Sequence, residues 1–351
     1  MKKVIVLMLT LCLLFCSCKQ YDGKIERKKY QGRETYENIS LGYTGGMAQD
    51  DEYYYYADEY GFFSVNKISG EHKTFSDEYI MPMLTFNDEM YFYENGAVLV
   101  FDKKTQQLVR KSFVELFSLQ LKVPQTRYSL NVLMVKDGWL VSIKDNESGL
   151  REVYLTDREF TTKTLLPIYK FDFVLDDDVF CFMGKDNILC YNLKTEKTSY
   201  VMFNAGVTVL DDSIDGHNMD YVGNGRIIVY EEDKSKIINL VDGSVSSELP
   251  YGNDDISDIV FDNKKTYMMV VEEDKSHIDA IAHSDNKIET IYSFEVNLPH
   301  YYIGIENIDK QYLYLNKAGH YNEDGSPTGE HIRINKDGTG EKLLFKQMAA
   351  N

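Results

Sequence analysis

The chain has 351 residues, enough for two average domains or one large all-β domain, and 43% of its residues are hydrophobic, which excludes an intrinsically disordered protein. Its formal net charge of −18 repels phosphate backbones, so nucleic acid is excluded as an expected partner. Only six prolines occur and no Pro/Gly/Ser-rich linker divides the chain. We therefore predict one folded domain that follows an N-terminal targeting segment.

Residues 1–17 have the pattern of a secretory signal peptide. Two lysines follow the first methionine, and the apolar run at 4–15 is too short to span a bilayer. The next motif, "FCSC" at 15–18, resembles the lipobox of bacterial lipoproteins, with Phe where that family has Leu or Val. The resemblance implies a lipid on Cys18 and an extracytoplasmic protein anchored to a bacterial membrane. A cleaved secretory signal with incidental cysteines is the alternative.

Residues 18–43 are predicted to form a tether between the signal and the folded domain. Six Lys or Arg residues occur before position 34. Beside a lipid anchor such a segment can lie on anionic headgroups, and a solvated spacer is the alternative. Its end, "RETYENISL" at 33–41, is typical of a strand, and it is a candidate for closing the domain that follows.

From residue 44 to residue 351 the chain repeats one pattern seven times. Each unit begins with an apolar strand and an acidic or Gly turn, continues with an aromatic or aliphatic strand, and closes with two strands around a polar turn. The second strands of the first and last units start at Tyr53 and Tyr312, which spaces the units by about 43 residues. Four short strands in that length are typical of a propeller blade. We predict an all-β fold, a single β-propeller of seven four-stranded blades, with six or eight blades as alternatives.

Four consecutive tyrosines occur in "DDEYYYYADEYGFFSVNK" at 51–67. A middle strand of a blade is covered on both faces by neighbouring blades, and successive side chains point to opposite faces. We therefore predict that Tyr53 and Tyr55 pack toward one neighbour and that Tyr54 and Tyr56 pack toward the other, where their rings fill the space between the sheets.

Segments such as "VFDKKTQQL", "YNLKTEKTSYV" and "HIRINKDGTGEKLLF" resemble the repeats of bacterial lipoprotein propellers, which are related in architecture to the YWTD and TolB-like propellers. The resemblance covers roughly Thr44 to Phe345, and much of that group has no known function. The Trp-Asp ending of WD repeats and the Gly-Gly of kelch repeats are missing, and Trp139 is the only tryptophan. Because propellers include hydrolases, lyases and binding platforms, the fold leaves enzymatic activity open.

The sequence holds no sialidase-type Asp box, no nucleophile elbow and no Gly-rich phosphate loop, so we predict no catalytic residue and no cofactor. Two Asp/Asn-rich loops, starting at Asp211 and His320, resemble calcium loops but lack the closing Glu, which leaves structural calcium as an alternative to solvated loops. His277, Asp279 and His283 share one strand face by their even offsets. The two histidines would lie about 20 Å apart, too far for one metal ion.

The two longest connections between predicted blades, at 118–130 and 204–218, are the candidate ligand-binding loops, because long loops in compact domains are frequently functional. Arg127 and Tyr128 in the first suit an acidic or sugar ligand. Three side chains in the second suit a cation or a polar ligand: Asp211, Asp215 and His217. Surface loops without a binding role are the alternative.

The predicted propeller contains two cysteines, Cys181 and Cys190, in "VFCFMGKDNILCYNL". A hairpin with its loop at 184–187 pairs Met183 with Ile188 and places the cysteines opposite each other, close enough for a strained disulfide. Two reduced thiols facing each other are the alternative.

These features favour a lipid-anchored, extracytoplasmic β-propeller that acts as a monomeric binding module for a protein, peptide or glycan at the cell surface. One alternative is a propeller hydrolase or lyase acting on a polysaccharide or lactone, which requires carboxylates converging on the central channel. The other is a structural assembly scaffold.

Overall fold

The structure is a computed structural model. It describes residues 46–346 except 59–60, 77–80, 87–88, 95–96, 113–127, 136–137, 158–160, 169–170, 172, 177–178, 184–186, 203–218, 232, 241, 253–254, 273–274, 296–301 and 319–328. The predicted signal, tether and extra strand at 33–41 lie outside the described residues. In the part of the chain that is described, no helix has the length and apolar character needed to cross a bilayer.

The described residues form seven four-stranded antiparallel sheets, each made of four consecutive strands paired in sequence order. We number these sheets as blades 1 to 7 in chain order. Their strands are β1 (Gly46–Gln49), β2 (Tyr53–Asp58), β3 (Gly61–Asn66) and β4 (His72–Ser76); β5 (Met81–Phe86), β6 (Glu89–Glu94), β7 (Ala97–Asp102) and β8 (Gln107–Ser112); β9 (Tyr128–Val135), β10 (Gly138–Asp145), β11 (Arg151–Asp157) and β12 (Lys163–Leu165); β13 (Phe173–Asp176), β14 (Val179–Met183), β15 (Asn187–Asn192) and β16 (Lys197–Met202); β17 (Met219–Tyr221), β18 (Arg226–Tyr230), β19 (Ser235–Asn239) and β20 (Val245–Leu249); β21 (Ile256–Phe261), β22 (Lys265–Val271), β23 (Lys275–Ala282) and β24 (Ile288–Glu295); and β25 (Tyr302–Ile308), β26 (Tyr312–Ala318), β27 (Glu330–Asn335) and β28 (Lys342–Lys346).

First strands of neighbouring blades contact each other along the inside of a ring. β13 contacts β9 and β17, β21 contacts β25, and β1 contacts both β5 and β25. The contact between β1 and β25 joins the first blade to the last, so the ring is closed. The prediction of an all-β fold with a single β-propeller is confirmed.

The tyrosine-rich strand β2 packs on both faces, as predicted. Tyr55 lies in a core cluster with Phe101 of blade 2, and their ring centroids are 5.6 Å apart. Tyr56 lies in a cluster with Phe345 of blade 7, with centroids 4.9 Å apart. Because the side chains alternate, one strand contributes rings to two seams between blades.

In blades 1 and 7, an aspartate holds the turn between the first and second strands and accepts a hydrogen bond from a tyrosine hydroxyl. In blade 1, Asp50 Oδ1 accepts hydrogen bonds from two backbone amides at 2.8 Å, and Asp50 Oδ2 accepts one from the Tyr55 hydroxyl at 2.8 Å. In blade 7, Asp309 Oδ1 caps its turn in the same way, and Oδ2 accepts from Tyr314 at 2.6 Å. Burial and the neighbouring carboxylates raise the pKa of both tyrosines, so they remain hydrogen-bond donors.

The turn between β27 and β28 approaches blade 6 closely through Gly338. Its φ of +82° lies in the left-handed region, and a Cβ atom at this position would be 1.7 Å from the carbonyl oxygen of Ile291 in β24. The corresponding turn of blade 1 holds Gly70, with φ +72° and nothing within 4 Å of such a Cβ atom. The two glycines therefore share backbone strain but differ in packing.

We expect Gly338→Ala to lower the free energy of unfolding by about 3 kcal/mol or more, because left-handed strain adds to overlap with a neighbouring backbone. The matched control, Gly70→Ala, meets only the strain and should cost about 1 kcal/mol. Urea unfolding of both variants measures the difference. Equal losses would show that blade 7 does not press against blade 6 at this turn.

Candidate ligand-binding groove

A surface cavity of about 690 Å³ lies at the seam between blades 6 and 7. It is lined from blade 6 by 262–265 and Tyr267, and from blade 7 by 310–311 and 335–337. Apart from Tyr267, which lies within β22, these residues lie in or beside turns that join first to second strands and third to fourth strands. Because strands alternate in direction, all such turns lie on one face of the ring, which we call the turn face. We call this cavity the lysine groove.

The lysine groove is positively charged in a strongly acidic chain. Four lysines line it, against the aspartates Asp262 and Asp337, while the chain as a whole carries −18. The side chains of Lys264 and Lys310 are exposed and form no ion pair with any described residue. Lys336 has a different role, since its Nζ lies 2.6 Å from Asp262 Oδ2, with the two side chains 18% and 10% exposed. The four lysines are Lys264, Lys265, Lys310 and Lys336.

Backbone hydrogen bonds hold the groove walls in place. Asp262 Oδ1 accepts from the amides of Lys264 and Lys265 at 2.7 and 2.8 Å. The Lys264 carbonyl accepts from the His283 amide at 2.7 Å, and the Lys336 amide donates to the Gln311 carbonyl at 3.2 Å. Each turn is thus tied to the neighbouring turn of its own blade, and the Lys336–Asp262 pair ties blade 7 to blade 6.

Both groove carboxylates are ionised at neutral pH. Burial pushes the pKa of Asp262 upward, but hydrogen bonds from Lys336 and from two amides outweigh it and hold the pKa below its usual value. Hydrogen bonds from the Thr339 side chain and amide lower the pKa of Asp337. A general acid must be protonated when the reaction begins. Neither carboxylate therefore suits proton donation to a leaving group.

Tyr267 contributes to the groove without offering a ring face to a ligand. Its side chain is only 2% exposed and packs in the core between blades 6 and 7. Burial, and then the Asp262 carboxylate, raise the pKa of its hydroxyl. The groove is therefore a charged, hydrogen-bonding surface rather than an aromatic platform.

The loop residues predicted from the sequence are not assembled into a site by the described part of the structure. Arg127, Asp211, Asp215, His217 and the proposed lipidation site Cys18 all lie outside the described residues. Tyr128 is the first residue of β9, where it pairs with Asp145 of β10. These assignments remain predictions.

The predicted placement of His277 and Asp279 on one face of their strand is confirmed, and both side chains are buried. His277 Nε2 lies 3.6 Å from Asp279 Oδ1. The Asp279 carboxylate also accepts hydrogen bonds from the hydroxyls of Tyr251 at 2.8 Å and Thr290 at 2.6 Å. His283 contacts Thr266 instead. Across the described residues, no group of three or more His, Cys, Asp or Glu side chains is arranged to hold a metal ion.

The lysine groove is not among the sites predicted from the sequence, because those sites lie in the longest connections. The groove comes from short turns, "FDNKK" at 261–265, "IDKQ" at 308–311 and "NKDG" at 335–338. The available signal was charge, since lysines recur in adjacent short turns of a chain that is otherwise strongly acidic. The lysines form one groove only because the last two blades are neighbours.

No protein-family model matches the chain. A search of curated proteins also finds no match. Among solved structures, the chain is similar to the WD40 domain of SCAP from fission yeast, with 10% identity, 89% of this chain and 90% of that chain covered, and a TM-score of 0.45. It is also similar to the AfRom2 CNH domain, with 12% identity, 89% and 99% coverage and a TM-score of 0.44. At these identities the likeness concerns the fold alone.

His283 lies behind the groove wall and gives a pH dependence. Burial, and then the positive charge of Arg226, lower its pKa from 6.5 to about 4. Between these values the unfolded chain binds a proton that the folded chain does not, so stability falls as the pH falls from about 6.5 to about 4.

We expect His283→Asn to flatten this fall by about 1 kcal/mol or more, allowing for partial exposure of the ring, because Asn does not titrate. Urea unfolding of both proteins at about pH 7 and about pH 4.5 measures the change. Parallel pH dependences in the variant and the wild type would contradict the assignment.

Proposed function

We propose that the protein is a lipid-anchored, extracytoplasmic binding module whose lysine groove takes an acidic segment of a partner protein. The observation that carries the proposal is the groove itself, a positively charged cavity between two blades of an acidic ring. Its walls are short hydrogen-bonded turns, so the positive side chains project from a rigid base. A preorganised base reduces the conformational entropy lost on binding.

The charge contrast supports selectivity. A chain carrying −18 repels an acidic partner over most of its surface, and the groove attracts it at one place. Lys264 and Lys310 come from different blades and are both exposed, so two carboxylates of one ligand can bind them together. Such a partner gains affinity only when it binds in the groove. Attraction at the groove and repulsion at the rest of the surface together make the binding selective.

A protein segment suits the groove better than a glycan does. Sugar rings commonly stack on exposed aromatic faces, and Tyr267, the aromatic side chain that lines this cavity, is buried. A glycosidase role is also disfavoured here, because both groove carboxylates are held in the ionised form. The interaction role is therefore favoured over the hydrolase or lyase at this site.

The strand order supports an orientation for the proposed anchor. β1 runs toward the turn at Asp50, so its start at Gly46 lies on the face opposite the turn face. The end of β28 at Lys346 lies on that same opposite face, because each blade has four strands. A tether attached before Gly46 thus joins the ring away from the lysine groove, which leaves the groove open to partners.

We expect Lys264→Glu combined with Lys310→Glu to weaken binding of a fluorescent hexaglutamate peptide at least tenfold, since two attractive contacts become repulsive. The matched control is Lys234→Glu combined with Lys275→Glu, which changes the net charge equally at exposed positions on the opposite face. It should change the affinity less than twofold. Fluorescence anisotropy on the detergent-solubilised full-length protein at two salt concentrations measures both.

Equal loss of affinity in the two double variants would mean that overall charge, rather than the groove, governs binding. Absence of binding by the unsubstituted protein at low salt would overturn the groove as an acidic-peptide site. Tighter binding of hexagalacturonate than of hexaglutamate would assign the groove to a carboxylated glycan and reject the protein ligand.

The anchor is tested at Cys18. We expect Cys18→Ser to abolish labelling by a palmitate analogue and to move the protein from the membrane pellet to the soluble fraction, because the thiol is the acceptor in the lipobox pattern. Cys16→Ser, two residues earlier, is the matched control and should remain labelled. A Cys18→Ser protein that is still labelled and sediments with membranes would exclude Cys18 as the anchor.

A further inference from the structure

Cys181 and Cys190 face each other inside blade 4. The register of β14 and β15 pairs Met183 with Ile188 and Cys181 with Cys190, as the hairpin predicted from the sequence requires. The cysteines are not bridged, and their Sγ atoms are 2.8 Å apart. Both side chains are buried, at 0% and 1% exposure.

Blade 5 covers this pair. The two cysteines belong to a core cluster that includes Ile227, Val229 and Ile238, which lie on β18 and β19. A reagent in solution therefore has no path to either sulfur in the folded ring. The hairpin that brings the sulfurs together is local in sequence, whereas its cover comes from a later blade.

We propose that Cys181 and Cys190 are an oxidation site at which a disulfide forms while the chain folds, and that packing of blade 5 then seals whichever redox state folding produced. The oxidant is a small disulfide of the glutathione class or a dithiol-disulfide oxidoreductase. The proposal is independent of the lysine groove and of its ligand.

The chemistry is thiol–disulfide exchange. One cysteine, as the thiolate, attacks a sulfur of the oxidant, forms a mixed disulfide and expels the first oxidant thiolate. The other cysteine, as the thiolate, attacks the mixed disulfide, forms the Cys181–Cys190 bond and expels the second. Two cysteine thiols are oxidised, one oxidant disulfide is reduced to two thiols, and the two cysteine protons end on those thiols.

The geometry allows the bond without rearranging the sheet. Directly opposed residues of antiparallel strands have Cα atoms about 4.5–5.5 Å apart, within the range that disulfides span. The sulfurs must approach from 2.8 Å to about 2.05 Å, a small side-chain movement. Once blade 5 has packed, reduction and oxidation both require that it open, so the redox state records the compartment in which the chain folded.

The test unfolds the reduced full-length protein in urea and refolds it with excess oxidised glutathione or with dithiothreitol. After alkylation and trypsin digestion, cleavage at Lys185 separates the two cysteines, so a bridge links the peptides 171–185 and 186–194. We expect the linked pair only after oxidative refolding and never in Cys190→Ser. Separately alkylated peptides after oxidative refolding, or links to other cysteines, would overturn the oxidation site.

Two further measurements test the seal. Native reduced protein incubated with oxidised glutathione should form the bridge at least tenfold more slowly than the chain in urea, and native oxidised protein should resist dithiothreitol to the same degree. The oxidised protein should melt about 5 °C above the reduced protein. Equal rates in the native and unfolded protein would overturn the sealing by blade 5.

Discussion

The seam between blade 1 and blade 7 is the constraint on which the ring depends, because each of these blades is built from its own four consecutive strands. In the described part of the chain, side chains rather than a shared strand join them. Asn307 donates to the Met47 carbonyl at 3.0 Å, and Gln49 donates to the Tyr314 hydroxyl at 2.7 Å. His331 lies beside the Tyr56 ring and forms a buried hydrogen bond with Glu306 of its own blade. Without this seam every blade would keep its sheet but the ring would open.

The buried pair in that seam fixes position more than it adds stability. Glu306 Oε2 lies 2.7 Å from His331 Nδ1, and the two side chains are 5% and 1% exposed. Removing one partner of such a hydrogen-bonded pair typically costs about 1–3 kcal/mol, although replacing both by apolar groups of the same shape can be neutral. The cost arises from leaving one polar group buried alone. Because both residues belong to blade 7, the pair does not itself join the blades but fixes the position of His331 against the Tyr56 ring of blade 1.

The period, the two-sided tyrosine strand and the opposed cysteines could all be predicted from the sequence, because each follows from a local rule. Side chains alternate along a strand, and a short turn sets the register of its hairpin. The lysine groove could not be predicted in this way. It brings together Asp262 and Lys336, which are far apart in sequence and meet only through the neighbouring positions of blades 6 and 7. The long connections predicted as binding loops are flanked by strand ends that lie on the opposite face.

The groove arises where the turn of blade 6 departs from the corresponding turns of blades 1 and 7. In blades 1 and 7 the turn aspartate uses Oδ1 for backbone amides and Oδ2 for a tyrosine of its own blade. In blade 6, Asp262 keeps the backbone contacts but gives Oδ2 to Lys336 of the next blade. The aspartate that stabilises a turn within one blade therefore also joins two blades. The repeated strands form a rigid frame. The contact between Asp262 and Lys336 places charged side chains at the seam between two blades. Binding sites in such a ring should therefore be sought where the copies of the turn differ.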